Sequence, residues 1–238
     1  MTTSEPRVHP RISINKLGEY LVASPLRRRE IIERQKYPSY LVGSHYEPAR
    51  RLLVDFLLGR QTQRAVLEYA RSWLEEDTFE SDYARHRANG CADAVHRFLA
   101  LAPTLDFRGL RPMPPRGDEQ LHLEGVTVSL RPDIVLRGVD GRGRPIAGAV
   151  KLHFPKTHPL TAASAAYVAT ALHVYLRERP TTWGVPLPQA CMAVDVFSDT
   201  LAVAPRAHRR RMRELAAACA EIRETWPFVE PTTESVAA

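Results

Sequence analysis

The chain has 238 residues, of which 44% are hydrophobic and 25% charged, a composition that excludes a wholly disordered chain and suits one α/β domain or a core with a helical annex. Its formal charge of +6 comes from arginine, because Lys16, Lys36, Lys151 and Lys156 are the only lysines. No apolar run approaches the roughly 20 residues of a membrane span, and MTTSEPRVHPRIS lacks the hydrophobic centre of a secretion signal, so a cytoplasmic protein without membrane attachment is expected.

An arginine surplus is what high genomic GC content produces as well as what a polyanion-binding surface needs, so charge alone names no partner. Cys91, Cys191 and Cys219 lack the paired spacing of a zinc site and read as buried, reduced thiols.

Residues 1–10 carry two prolines and no periodicity, which predicts a flexible tail. Ser13 then precedes NKLGEYLVA, whose Leu17, Tyr20 and Leu21 share one helical face, and Pro25 opens a second helix, LRRREIIERQK. Arg27, Arg28, Arg29 and Arg34 form a surface that is either solvated or phosphate-facing. Apolar stripes predict further helices over 46–58, 60–74 and 81–102, giving an N-terminal helical layer over residues 1–110. Pro112, Pro114, Pro115, Gly117 and Asp118 mark a loop.

Residues 111–238 read as a strand core with a C-terminal helix, the whole forming one compact unit. HLEGVTVSLRPDIVLRG alternates with period two before the apolar run Ile134, Val135, Leu136. A turn at Asp140 and Gly141 leads into IAGAVKLHF, apolar on both faces as a central strand is. Thr161 caps the next helix, 180–188 reads as a loop containing Trp183, and CMAVDVFSDTLAVAP reads as a hairpin turning at Ser198 and Asp199. The last helix starts with Arg206, His208, Arg209, Arg210, Arg211 and Arg213, positive charge that opposes the helix dipole and is either a solvated helix end or a place for an anion. Residues after Pro227 are expected to fray.

Chemistry concentrates between Glu124 and Phe154. Asp133 follows Pro132 at the start of one apolar strand, and Lys151 lies inside the next. A lysine flanked by AGAV and LHF is costly to bury unpaired, and Asp133 is the natural anionic partner.

Pro132, Asp133 and Lys151, separated by a glycine-containing turn, resemble the PD-(D/E)XK nuclease superfamily, RecB-like branch. ISINKLGEYLVASPLRRREI is similar to that branch's N-terminal segment through Ser13, Tyr20 and Pro25. Ser24 stands where the family often has a cysteine, so an iron–sulfur cluster is not implied. The resemblance implies a restriction-endonuclease-like mixed sheet flanked by helices. It also implies that Asp133 and a second acid two residues before the lysine bind Mg²⁺ or Mn²⁺, with Lys151 acting on the attacking water.

The residue two before Lys151 is Ala149, so that second carboxylate is missing. Three replacements are open: Glu124 from the preceding strand, Asp93 from the helix before the sheet, or His153 on the same strand face as Lys151. The candidate catalytic set is therefore Asp133, Lys151, Glu124 and His153, and the candidate metal ligands are Asp133, Glu124 and Asp93. Arg27, Arg28, Arg29, Arg209, Arg210 and Arg211 are the candidate nucleic-acid contacts. Tyr167 matches a tyrosine that the family places on the helix after the lysine strand, but the glutamine that accompanies it has no counterpart in this helix.

The expected function is a catalytically degenerate nucleic-acid-binding or nuclease-accessory protein, partnered by DNA or by a protein of a nuclease or assembly complex. It needs no cofactor in that state, and Mg²⁺ or Mn²⁺ if active. The alternatives are an active metal-dependent DNA nuclease using Asp133, Lys151 and a relocated carboxylate, and a structural protein that keeps only the fold.

Overall fold

The computed structural model of the chain describes residues 5–38, 45–75, 79–116, 119–179 and 184–231. Gly117, Asp118 and Trp183 lie outside the described residues, as do 1–4 of the expected tail. Strand β1 (Arg11–Ser13) runs straight into α1 (Ile14–Val22). Ser13 ends the strand and caps the helix, its hydroxyl accepting from the Lys16 amide at 3.4 Å. Ser24 caps α2 (Pro25–Lys36) in the same way, with Pro25 in a first turn where an amide N–H has no helical partner to lose.

Helices α3 (Glu47–Leu57), α4 (Gln63–Ser72) and α5 (Asp82–Leu101) follow. The strands are β2 (Arg111–Met113), β3 (Gln120–Leu123), β4 (Val126–Ser129), β5 (Ile134–Val139) and β6 (Pro145–His153). Helix α6 (Ala162–Arg177) then leads to β7 (Val185–Asp195), β8 (Thr200–Val203) and α7 (Arg209–Thr225).

The result is an α/β protein with mixed sheets flanked by helices. The larger sheet has the order β2-β5-β6-β7-β8 and is antiparallel except between β6 and β7. A parallel neighbour requires a crossover, which α6 supplies. The smaller sheet, β1-β4-β3, joins β1 in parallel to β4, so the start of the chain is held by a strand formed far later.

The two faces of the large sheet differ in side-chain size, and that difference sorts the helices. Ala147, Ala149, Cys191 and Ala193 line one face with Val135 and let α6 approach closely, with α1, α2, α7 and the small sheet completing that cluster. Ile134, Leu136, Val150, Leu152, Met192 and Val194 line the other and meet the apolar stripes of α3, α4 and α5. The helices of the first 110 residues are thus divided between the two sides of the sheet. Helix α6 lies between the sheet and α1, which explains why it is apolar nearly all round.

Two close approaches fix this arrangement. A Cβ on Gly18 would lie 2.8 Å from the Ser164 carbonyl, where α1 crosses α6. A Cβ on Gly148 would lie 2.3 Å from the Ala190 carbonyl, at the register shift between Ala147 and Ala149 in the β6/β7 pairing.

Three local expectations are corrected. The tail is tied down from Arg7 onward, where the Arg7 amide donates to the Lys36 carbonyl at 2.9 Å and Trp226 Nε1 donates to the Arg7 carbonyl at 3.1 Å. The chain beyond Pro227 stays packed through Val229, which is 3% exposed, because Lys36 Nζ donates to the Trp226 and Val229 carbonyls at 2.9 and 2.8 Å. The expected 180–188 loop is strand from Val185, because β8 pairs β7 only from Met192 on and leaves Pro186 and Pro188 where no amide is needed on that side.

All three cysteines are buried and free, and burial pushes the Cys191 and Cys219 thiols up to about 12. Among the described residues no helix is long and apolar enough to cross a membrane.

Candidate functional site

Antiparallel pairing sets Ile134 opposite Val150, so Asp133, one residue before β5, comes beside Lys151. The Asp133 amide donates to the Val150 carbonyl at 2.8 Å, which extends the ladder by one bond and fixes the carboxylate at the strand mouth. That carboxylate is fully enclosed. Its Oδ1 accepts from Arg50 Nε, its Oδ2 accepts from the Leu152 amide at 2.7 Å, and Lys151 Nζ lies 3.4 Å from Oδ2.

Lys151 also donates to the Arg131 carbonyl. Arg131 holds φ at 39°, a left-handed conformation that non-glycine residues adopt at a cost. Burial, reinforced by the neighbouring Arg50 and Arg131 guanidinium groups, pulls the Lys151 ammonium below the ordinary lysine range, with Asp133 opposing.

Arg50 is the participant that the sequence did not disclose. It projects from α3, sits between Asp133 and Glu47, and lies 3.7 Å from the Glu47 carboxylate. Nothing in EPARRLLVDFL separates Arg50 from Arg51, which pairs locally with Glu47. The only available signal was that a buried carboxylate needs more than one donor.

A divalent cation needs several hard oxygen ligands. Asp133 contributes one carboxylate whose oxygens already face a guanidinium, an ammonium and an amide N–H, two of them cationic and repulsive to a metal. The donor set as arranged does not fit Mg²⁺ or Mn²⁺. Ala149 is 0% exposed on the α6 face of the sheet, so the position that would hold the second acid is occupied by a core side chain.

The proposed replacements have other partners. Glu124 is an exposed residue of the β3–β4 turn, where its carbonyl accepts from Arg223 of α7 at 3.0 Å. Asp93 on α5 is paired with Lys156 at 2.6 Å and Arg97 at 3.1 Å, which hold its carboxyl below the usual range against the opposing effect of burial. His153 is 2% exposed and faces the His158 carbonyl at 3.0 Å and Asp195 at 3.8 Å. Among the described residues no three of His, Cys, Asp and Glu are placed to hold a metal ion.

The basic candidates also separate. Arg27 is committed to Glu19 and Glu30, and Arg28 to the Tyr20 carbonyl and Glu221, while Arg29 is exposed. On α7, Arg210 pairs with Glu214 at 2.9 Å, Arg211 stands over the Tyr167 ring at 5.9 Å, and Arg209 is exposed. Tyr167 itself donates to Glu214 at 2.6 Å.

Four histidines, His153 and His173 buried and His45 and His158 partly so, give the chain a directional pH response. Burial lowers His45, His153 and His158 and takes His173 down to about 4. These rings are neutral in the fold and gain protons on unfolding below their ordinary value, so stability is complete above it and falls as pH drops toward the folded value. His173 alone contributes up to roughly 3 kcal/mol of that loss. Urea midpoints should therefore decline from pH 7.5 to pH 5, with His173→Phe flattening the decline; equal midpoints across that interval would refute the assignment.

No protein-family model matches the chain, and a comparison with curated proteins finds no match.

Proposed function

We propose that the chain is a restriction-endonuclease-like protein of the PD-(D/E)XK type with a degenerate catalytic centre. In this reading it acts in the cytoplasm as a nucleic-acid-binding or nuclease-accessory protein. The observation that carries the reading is the meeting of Asp133 and Lys151 across β5 and β6, with the Arg50 guanidinium bound to the carboxylate that a metal enzyme keeps for its cation. The mixed sheet with its α6 crossover agrees with that fold. In this role Lys151 and Arg50 neutralise Asp133 and hold β5, β6 and α3 together, and the exposed arginines supply sequence-independent phosphate contacts.

The test is fluorescence anisotropy with labelled duplex and single-stranded DNA in EDTA, Mg²⁺ and Mn²⁺, with cleavage followed on gels. Metal-independent binding that weakens with salt, without cleavage, is expected. Cleavage abolished by Lys151→Ala would overturn the proposal in favour of an active nuclease with a relocated carboxylate. No DNA retention even at low salt would overturn it in favour of a scaffold that keeps only the fold.

A further inference from the structure

The end of α6 and the start of α7 flank an open cavity of about 690 Å³ lined by Arg177, His208, Arg209, Met212 and Arg213. Four of these five side chains carry cationic or potentially cationic groups, and the lining contains no carboxylate. The neighbouring positive groups of α7 are already engaged, Arg210 by Glu214 and Arg211 over Tyr167. Arg209 and Arg213, one helical turn apart on a shared face, have no ion pair among the described residues.

The wall is organised rather than a loose fringe of arginines. His208 Nδ1 lies 3.1 Å from the Arg206 carbonyl, and its Nε2 meets Arg177 Nη1. These contacts set the His208 ring beside the Arg177 guanidinium. Behind it His173, 5% exposed, sets its ring against the His208 ring at 5.0 Å, and its buried Nδ1 has no hydrogen-bond partner among the described residues. Helix α7 begins here with no acid in its first turn, so its dipole adds to the same positive field.

We propose that this cavity is a binding site for a phosphate group, held by the forked guanidinium groups of Arg177, Arg209 and Arg213. Arginine forks match phosphate oxygens two at a time. The volume exceeds a bare phosphate and admits the sugar or base attached to it, with Met212 as the apolar contact. The site stands apart from Asp133 and Lys151 and does not depend on the reading of that pair.

The test uses the full chain with inorganic phosphate, adenosine 5′-monophosphate, and a single-stranded oligonucleotide with either a 5′-phosphate or a 5′-hydroxyl. Binding is followed by calorimetry and anisotropy, and folding by circular dichroism. Arg209→Gln with Arg213→Gln should weaken binding of these probes by about tenfold or more. Arg64→Gln with Arg71→Gln, the same loss of two positive charges on α4 and outside the cavity, should leave it nearly unaltered. Tighter binding of the 5′-phosphorylated oligonucleotide identifies a terminal phosphate as the ligand, equal binding of both oligonucleotides identifies backbone phosphate, and a preference for adenosine 5′-monophosphate identifies a free nucleotide. Equal weakening by Arg64→Gln with Arg71→Gln, or no binding of any probe by the unaltered chain, would overturn the site.

Discussion

Replacing Asp133 by alanine is expected to destabilise the fold by about 3–5 kcal/mol, the range for removing one partner of a buried ion pair. The substitution leaves Arg50 and Lys151 facing each other without their shared anion and strips the Leu152 amide of its acceptor. Urea unfolding monitored through tryptophan fluorescence would read the loss directly. Adding Lys151→Met to Asp133→Ala should restore part of the stability, because the second change removes the cation that the first one stranded. A loss under about 1 kcal/mol for Asp133→Ala would mean that the three groups are solvated in practice, like a surface pair.

Gly148→Val should have a comparable effect through backbone sterics alone. Its Cβ would meet the Ala190 carbonyl at 2.3 Å and the Ala190 Cβ at 2.6 Å, both on the neighbouring central strand. Neither neighbour is a flexible side-chain end, so β6 and β7 must separate. Overpacking of a core typically costs 1–3 kcal/mol, and a backbone collision belongs at about 3 or above. In a chain of this size that lowers the melting midpoint by roughly 6 to 12 °C. Gly141→Ala, at a turn where an added Cβ meets nothing within 4 Å, is the control and should move it little. Equal midpoints for the two variants would contradict the register given for β6 and β7.

The proximity of Asp133 and Lys151 was legible because a glycine turn joins two apolar runs of adjacent strands, and such runs pair antiparallel. The missing acid at Ala149 was legible from spacing alone. Ser13 and Thr161 announced their helices because short hydroxyl side chains satisfy first-turn amides. Arg50 was not legible, since its contact with Asp133 depends on which side of the sheet α3 covers. That choice is made by the contrast between alanine-rich and large-residue faces of β6 and β7, a property of the assembled sheet and of no single helix. The division of the first helices between two sides was hidden for the same reason. The phosphate-facing reading of Arg27 failed to anticipate Glu19, a carboxylate on the neighbouring helix that is 7% exposed and already claims it.

The parallel pairing of β1 with β4 and the clasp between Arg7, Lys36, Trp226 and Val229 carry a consequence for synthesis on the ribosome. Helices α1 and α2 emerge well before β4, α6 and α7, whose residues share the apolar cluster of Ile14, Leu17, Tyr20 and Ile31. The nascent chain therefore carries these apolar faces uncovered until α7 has been made. By contrast, α3, α4 and α5 contact one another within the first hundred residues and can associate early. A chaperone that shields amphipathic helices should engage residues 12–32 of the growing polypeptide and release them only when α7 has left the exit tunnel.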